Sequence, residues 1–205
     1  MSELGRLEGK AALVTGASSG LGRATAIALA HSGADVALVA RSAEELESAK
    51  EEVVKTDRRA LSLPTDLAKE EETSATVERT VEEFGRIDVL VNAAGTDAPS
   101  TVEDLAVEGW DRTLDVNLRA PFLPSKAAFP HMREAGGGTI INISSVAGKK
   151  GWANASAYCA SKFGLTGFTQ ALARREGARN KGDRALPWSD VHQLGCFLSR
   201  GAPGG

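Results

Sequence analysis

The segment that most restricts the fold is Thr15-Gly16-Ala17-Ser18-Ser19-Gly20-Leu21-Gly22. It follows a short apolar run, Ala11 to Thr15, and opens a stretch with apolar residues at helical spacing, Leu21 to Ser32, which stops at Gly33. Such a run reads as a buried strand, and the glycines let the chain turn sharply into the helix behind it. Where side chains are missing at that turn, backbone amides and the helix N-terminus can approach a phosphate. The spacing is Gly-x-x-x-Gly-x-Gly, unlike the commoner Gly-x-Gly-x-x-Gly. Taken alone it also fits a plain strand-to-helix turn.

The rest of the chain repeats the alternation. Strands are predicted over Val36 to Ala40, Ala60 to Leu63, Ile87 to Val91 and Thr139 to Ile143. Helices are predicted over Ser42 to Lys55, Leu67 to Phe84, Val107 to Arg133 and Ala155 to Arg175, with Ser42 and Glu45 forming a candidate capping box. Strand alternating with helix implies an α/β fold, a doubly wound parallel sheet of Rossmann type with right-handed crossovers. Pro124 is expected to kink the long fourth helix, because proline removes a donor and crowds the preceding turn.

Composition narrows the function classes. The 205 residues are 42% hydrophobic and 25% charged, with a net charge of -3. Nothing in that balance calls for nucleic acid or an anionic membrane as partner. No apolar run approaches the ~18 residues of a membrane span, and Met1 to Lys10 lacks a signal core. Two cysteines suit a reducing compartment, so a cytoplasmic protein is expected. His31, His131 and His192 lack metal-ligand spacing, and no metal is expected.

Several polar residues fall where chemistry is possible. Tyr158 and Lys162 are four apart on a predicted helix and share a face, so the ammonium can favour the phenolate. Alone, that pair is as compatible with an exposed helix face. Ser144 and Ser145 end the fifth strand, at the carboxyl edge where open parallel sheets bind ligands. Asn92-Ala93-Ala94-Gly95 ends the fourth strand in the same way. Asn117 is a poor helix former inside a helix, so its side chain is expected to mend an irregularity near the site. Arg41 stands after the second strand, where an acidic residue would read the ribose hydroxyls of NAD. A guanidinium there suits a 2′-phosphate, which predicts NADP, with NAD as the alternative.

Together these residues resemble the short-chain dehydrogenase/reductase family, over roughly Leu7 to Arg175. Residues 15–22 resemble its TGxxxGxG turn, Asp66-Leu67 its adenine-contacting Asp after the third strand, Asn92 to Gly95 its sheet-stabilising NNAG motif, here NAAG, and Tyr158 to Lys162 its YxASK motif. Asn117 matches the helix asparagine of its catalytic tetrad, and the interval to Tyr158 selects Ser145 over Ser144. The resemblance implies an oxidoreductase moving a hydride between NADP(H) and a carbonyl or secondary alcohol, such as a ketone or 3-oxoacyl substrate. It implies Asn117, Ser145, Tyr158 and Lys162 as catalytic residues. In these roles Tyr158 exchanges the proton, Ser145 polarises the carbonyl, Lys162 lowers the tyrosine pKa and binds ribose, and Asn117 supports a water-linked relay. It implies cofactor contacts at Gly16, Ser18, Ser19, Gly20, Leu21, Gly22, Arg41, Asp66, Leu67, Asn92, Ala93, Gly95, Tyr158 and Lys162. A homodimer or homotetramer through the long helices is also implied.

The pattern stops near residue 176. Residues 1–176 form the expected dinucleotide-binding domain, whereas Gly177 to Gly205 reads as an irregular tail without strand or helix. The last strands of the family are therefore expected to be missing, leaving an open sheet edge beside the site. Permissible codons for Arg179 to Ser189, read one base later, spell Gly-Ile-Arg-Val-Ile-Ala-Leu-Cys-Pro-Gly, which resembles the family's sixth strand and turn. The expectation is a truncated or frameshifted member, with a catalytically impaired cofactor-binding fragment as the alternative function.

Overall fold

The computed structural model describes residues 7–174 and the backbone of residues 191–195. Strands β1 (Ala11–Thr15), β2 (Asp35–Ala40), β3 (Ala60–Pro64), β4 (Val89–Asn92), β5 (Thr139–Ser144) and β6 (Val191–Gly195) form one sheet in the order β3-β2-β1-β4-β5-β6. Every pairing is parallel. The order reverses direction between β1 and β4, so the carboxyl ends of those two strands open the crevice in which such sheets bind ligands.

The apolar runs are nearly continuous because both faces of the sheet are covered. Ala12, Val14, Val36, Leu38 and Leu46 belong to one buried cluster, with α1 (Gly20–His31) and α2 (Ala43–Val54). Their strand neighbours Leu13, Ala37 and Val39 point the other way, into a second cluster with Leu63, Val77, Leu90, Met132 and Ile140. That layer is closed by α3 (Glu70–Phe84) and α5 (Ala120–Glu134).

At the amino end of the sheet, Asp88 ties β4 to β1. Its carboxylate accepts from the Ala11 amide at 3.0 Å, from Lys10 Nζ at 3.0 Å and from both ends of the Arg86 guanidinium. Burial opposes its ionisation, yet the Arg86, Ala11 and Lys10 bonds hold the carboxyl below its ordinary value.

Three expectations change. The helix expected from Leu67 starts at Glu70, because residues 66–69 make a turn in which the Ala68 amide donates to Asp66 Oδ1. The long fourth helix is a continuous helical run, but its irregularity precedes Pro124. It divides into α4 (Val107–Leu114), a π-helical segment Asp115–Arg119 and α5, and the Ala120 amide donates to the Asp115 carbonyl. Residue 121 is proline and supplies no N–H to the carbonyl of Asn117 four residues back, which favours the wider turn.

The third correction concerns the tail. Within the stretch expected to lack strands, Val191–Gly195 lies parallel to β5, with Ile140 opposite Val191 and Ser144 opposite Gly195. An open strand edge presents a row of unpaired backbone groups, and pairing there overrides weak local propensity. The expected open edge beside β5 is therefore covered over this length. Residues 179–189, which carry the frameshift expectation, lie outside the described residues. The last helix, α6, spans Ser156–Arg174.

Candidate active site

The glycine turn is shaped by close backbone approach. Gly16 has φ +68°, and a Cβ there would stand 2.7 Å from the Ala94 amide nitrogen. A Cβ on Gly22 would run into the carbonyl of Gly16, whose carbon is 2.7 Å away. Thr15 Oγ1 joins the strand ends, accepting from the Ala93 and Ala94 amides at 3.1 and 3.3 Å. The first turn of α1 has no acidic residue, and Ser19 at its N-cap makes no side-chain cap bond. Its leading amides and positive dipole end are left for an anion.

That helix end opens on a cleft of about 570 Å³. Of the expected cofactor residues, Gly16, Ser18, Ser19, Gly20, Leu21, Gly22, Arg41, Asp66, Leu67, Ala93 and Gly95 all line it. Arg41 is exposed and has no carboxylate partner among the described residues. These features suit a dinucleotide: free amides for a pyrophosphate, an unpaired cation and a floor without side chains.

Asn92 does not line the cleft. It is 2% exposed, and its Nδ2 donates to Asn142 Oδ1 at 2.9 Å across the β4–β5 pair. Asn142 Nδ2 in turn donates to Thr169 Oγ1 on α6 at 2.9 Å. Asn92 therefore fixes the sheet and α6 beneath the site, and its neighbours Ala93 to Gly95 form the wall.

The two serines are separated by burial. Ser144 is 3% exposed, its Oγ 3.4 Å from Thr166 Oγ1. Ser145 is partly exposed and caps a short 3-10 turn, Val146–Gly148, its Oγ accepting from the Ala147 amide at 3.1 Å. That bond uses a lone pair and leaves the hydroxyl proton of Ser145 to be donated elsewhere.

Tyr158 and Lys162 lie on α6, with Lys162 Nζ 5.6 Å from the centre of the Tyr158 ring. The amine is buried and donates to the Ile143 carbonyl at 2.8 Å, so it sits at the carboxyl end of β5 on the side of the serines. Burial lowers its pKa to about 8. The Tyr158 hydroxyl has no hydrogen-bond partner among the described residues.

Asn117 is fully buried in the π-helical segment. Its Oδ1 accepts from the Thr96 amide and its Nδ2 donates to the Thr96 carbonyl, both at 2.8 Å, while Nδ2 also reaches Ser161 Oγ at 3.1 Å. Ser161 Oγ donates to the Tyr158 carbonyl at 2.7 Å. One amide thus links the loop after β4, the irregular helix and the turn of α6 that carries Tyr158. The expected irregularity is present at this residue. Thr96, Ser161 and Thr15 were missed by sequence reasoning, although Thr15 and Ser161 stand inside the motifs it used.

A parallel sheet with a glycine-floored crevice at its reversal point, backed by a tyrosine–lysine helix, defines a dinucleotide-binding protein of Rossmann type. The chain belongs to the short chain dehydrogenase family, which it matches over residues 10–180. It is 41% identical over 174 residues to D-threitol dehydrogenase of Mycolicibacterium smegmatis, covering 85% of this chain and 67% of that one. Among solved structures it resembles a metagenomic short-chain oxidoreductase in complex with NADP, at 40% identity and a TM-score of 0.80, covering 85% of this chain and 78% of the other. Carveol dehydrogenase from Mycobacterium avium, in complex with NAD, matches at 32% identity and a TM-score of 0.82, covering 84% and 68%. The chain spans about two thirds of the length of the curated relatives it matches.

Proposed function

We propose that the protein is an NADP-preferring oxidoreductase that interconverts a carbonyl and a secondary alcohol on a small molecule, a ketone or 3-oxoacyl compound among the candidates. The observation that carries this reading is the pairing of a glycine-floored cleft with the buried Lys162 amine beside Tyr158. The amides at the start of α1 would hold the pyrophosphate, Arg41 a 2′-phosphate, and Asp66 and Leu67 the adenine end. When bound, the nicotinamide supplies or accepts the hydride.

The chain's own residues manage the proton and the geometry. Ser145 donates a hydrogen bond to the substrate oxygen and stabilises the charge that develops there. Tyr158 delivers the proton in reduction and takes it in oxidation. Lys162, on the same face of α6, places its charge beside the Tyr158 ring and would bind the ribose. Asn117 holds the Thr96 loop and the Tyr158 turn in register, and in this reading it supports a water-linked proton relay through Lys162.

Residues 1–176 form the dinucleotide-binding domain in this reading, in a cytoplasmic protein. Homodimers or homotetramers would use the apolar groove of Leu114, Leu118, Phe122 and Phe168, and Phe122→Asp should then halve the mass measured by light scattering.

The decisive experiment is a nicotinamide-fluorescence titration followed by turnover with a panel of carbonyl compounds. NADPH binding and Tyr158-dependent oxidation of NADPH are expected. Binding without turnover of any carbonyl would leave the cofactor-binding fragment, and the catalytic assignment would fall.

A further inference from the structure

The cleft contains a second guanidinium that the reading above leaves unused. Arg112 lies on α4 and lines the same cleft as Arg41, with Val116 one helical turn further on. Arg112 is exposed and has no hydrogen-bond or ion-pair partner for its side chain among the described residues. The helical run that carries it is tied to the loop after β3, because Arg119 donates to the Ala68 carbonyl. Asp66, Leu67 and Ala68 of that loop line the cleft together with Ala93 and Val116, so apolar side chains stand in the same cleft as a carboxylate. The free amides of α1 and Arg41 belong to other elements, the turns after β1 and β2.

We infer that Arg112 is a further cofactor-binding residue whose planar guanidinium covers the exposed face of the adenine, with Val116 packed against the same base. The inference rests on the dinucleotide reading of the cleft. A flat aromatic base between an aliphatic side chain and a guanidinium gains both apolar contact and cation–π attraction. A free arginine one turn from an apolar cleft residue supplies that pair. With the pyrophosphate placed at the α1 amides, contact with the 2′-phosphate is the competing use of the same cation, and it differs in a measurable way: every adenine dinucleotide carries the base, whereas only NADP carries the 2′-phosphate.

The test is equilibrium titration of the full chain with NADP, NAD and nicotinamide mononucleotide, comparing wild type with Arg112→Ala, Arg112→Met and Arg41→Ala. Both Arg112 variants should weaken NADP and NAD by the same factor, about three- to tenfold, and leave nicotinamide mononucleotide unchanged. Arg41→Ala should weaken NADP far more than NAD. A loss confined to NADP in the Arg112 variants would make Arg112 a 2′-phosphate ligand and overturn the inference, as would no change with either dinucleotide. Wild type that binds neither dinucleotide would instead remove the dinucleotide reading itself, and this inference with it. Unchanged melting temperatures, expected for an exposed and unpaired side chain, exclude misfolding as the cause.

Discussion

The Lys162 ammonium is buried 5.6 Å from the Tyr158 ring centre and is tethered to the Ile143 carbonyl at 2.8 Å. One charged group is thereby held where water cannot solvate it well, at a cost to the fold.

That cost sets the first prediction. The native pKa of about 8 lies below the ordinary 10.5, so between these values the unfolded chain binds more protons than the folded one. Wild-type stability should therefore rise as pH increases from 8 to 10.5, and the penalty should be complete below 8. Lys162→Met should be more stable than wild type at pH 7, by up to about 3 kcal/mol, and the difference should shrink toward pH 10.5. Urea denaturation in a pH series measures this. A Met variant less stable at pH 7 would show that the Ile143 bond outweighs desolvation. Turnover should be lost in either case.

Asn117→Ala leaves the Thr96 amide and carbonyl without their partner. Partly buried backbone groups stripped of hydrogen bonds cost about 1–3 kcal/mol each. The variant should lose roughly 2–4 kcal/mol in urea denaturation. Its proteolytic sensitivity near Thr96 should rise. Wild-type stability in this variant would refute the tethering role.

Two glycines of the turn should respond differently to alanine. At Gly20 a Cβ meets nothing within 4 Å, so only the φ of +54° opposes it, a strain of about 1 kcal/mol. At Gly22 the Cβ collides with the Gly16 backbone, and the turn must open. Gly22→Ala should abolish cofactor binding by fluorescence titration, while Gly20→Ala should keep a measurable affinity. The reverse order would contradict the geometry.

Asp88 provides a pH test far from the cleft. Its folded pKa is lowered, so its contribution is present above the unfolded value of 3.8 and is lost as pH falls through the folded value. Asp88→Asn should cost about 1–3 kcal/mol at pH 7 and progressively less below pH 3.8, with NADP affinity unaffected at neutral pH. A constant difference across the acid range would show that charge is not involved.

Much of this was legible in one dimension. The apolar strands, the amphipathic helices and the Gly16–Gly22 turn depend on neighbours within a few residues, and so does the facing of Tyr158 toward Lys162 along one helix. These follow from periodicity and local backbone freedom, which a linear chain carries openly. The tertiary structure alone decided that Asn117 grips Thr96, 21 residues away, and that Asn92 turns inward to Asn142 instead of lining the cleft. It also put Ser144 in the interior and Ser145 at the edge, and laid Val191–Gly195 along β5. Each of these rests on a polar group finding a partner across the fold, and hydrogen-bond pairing between distant segments leaves no periodic trace in the chain that makes it.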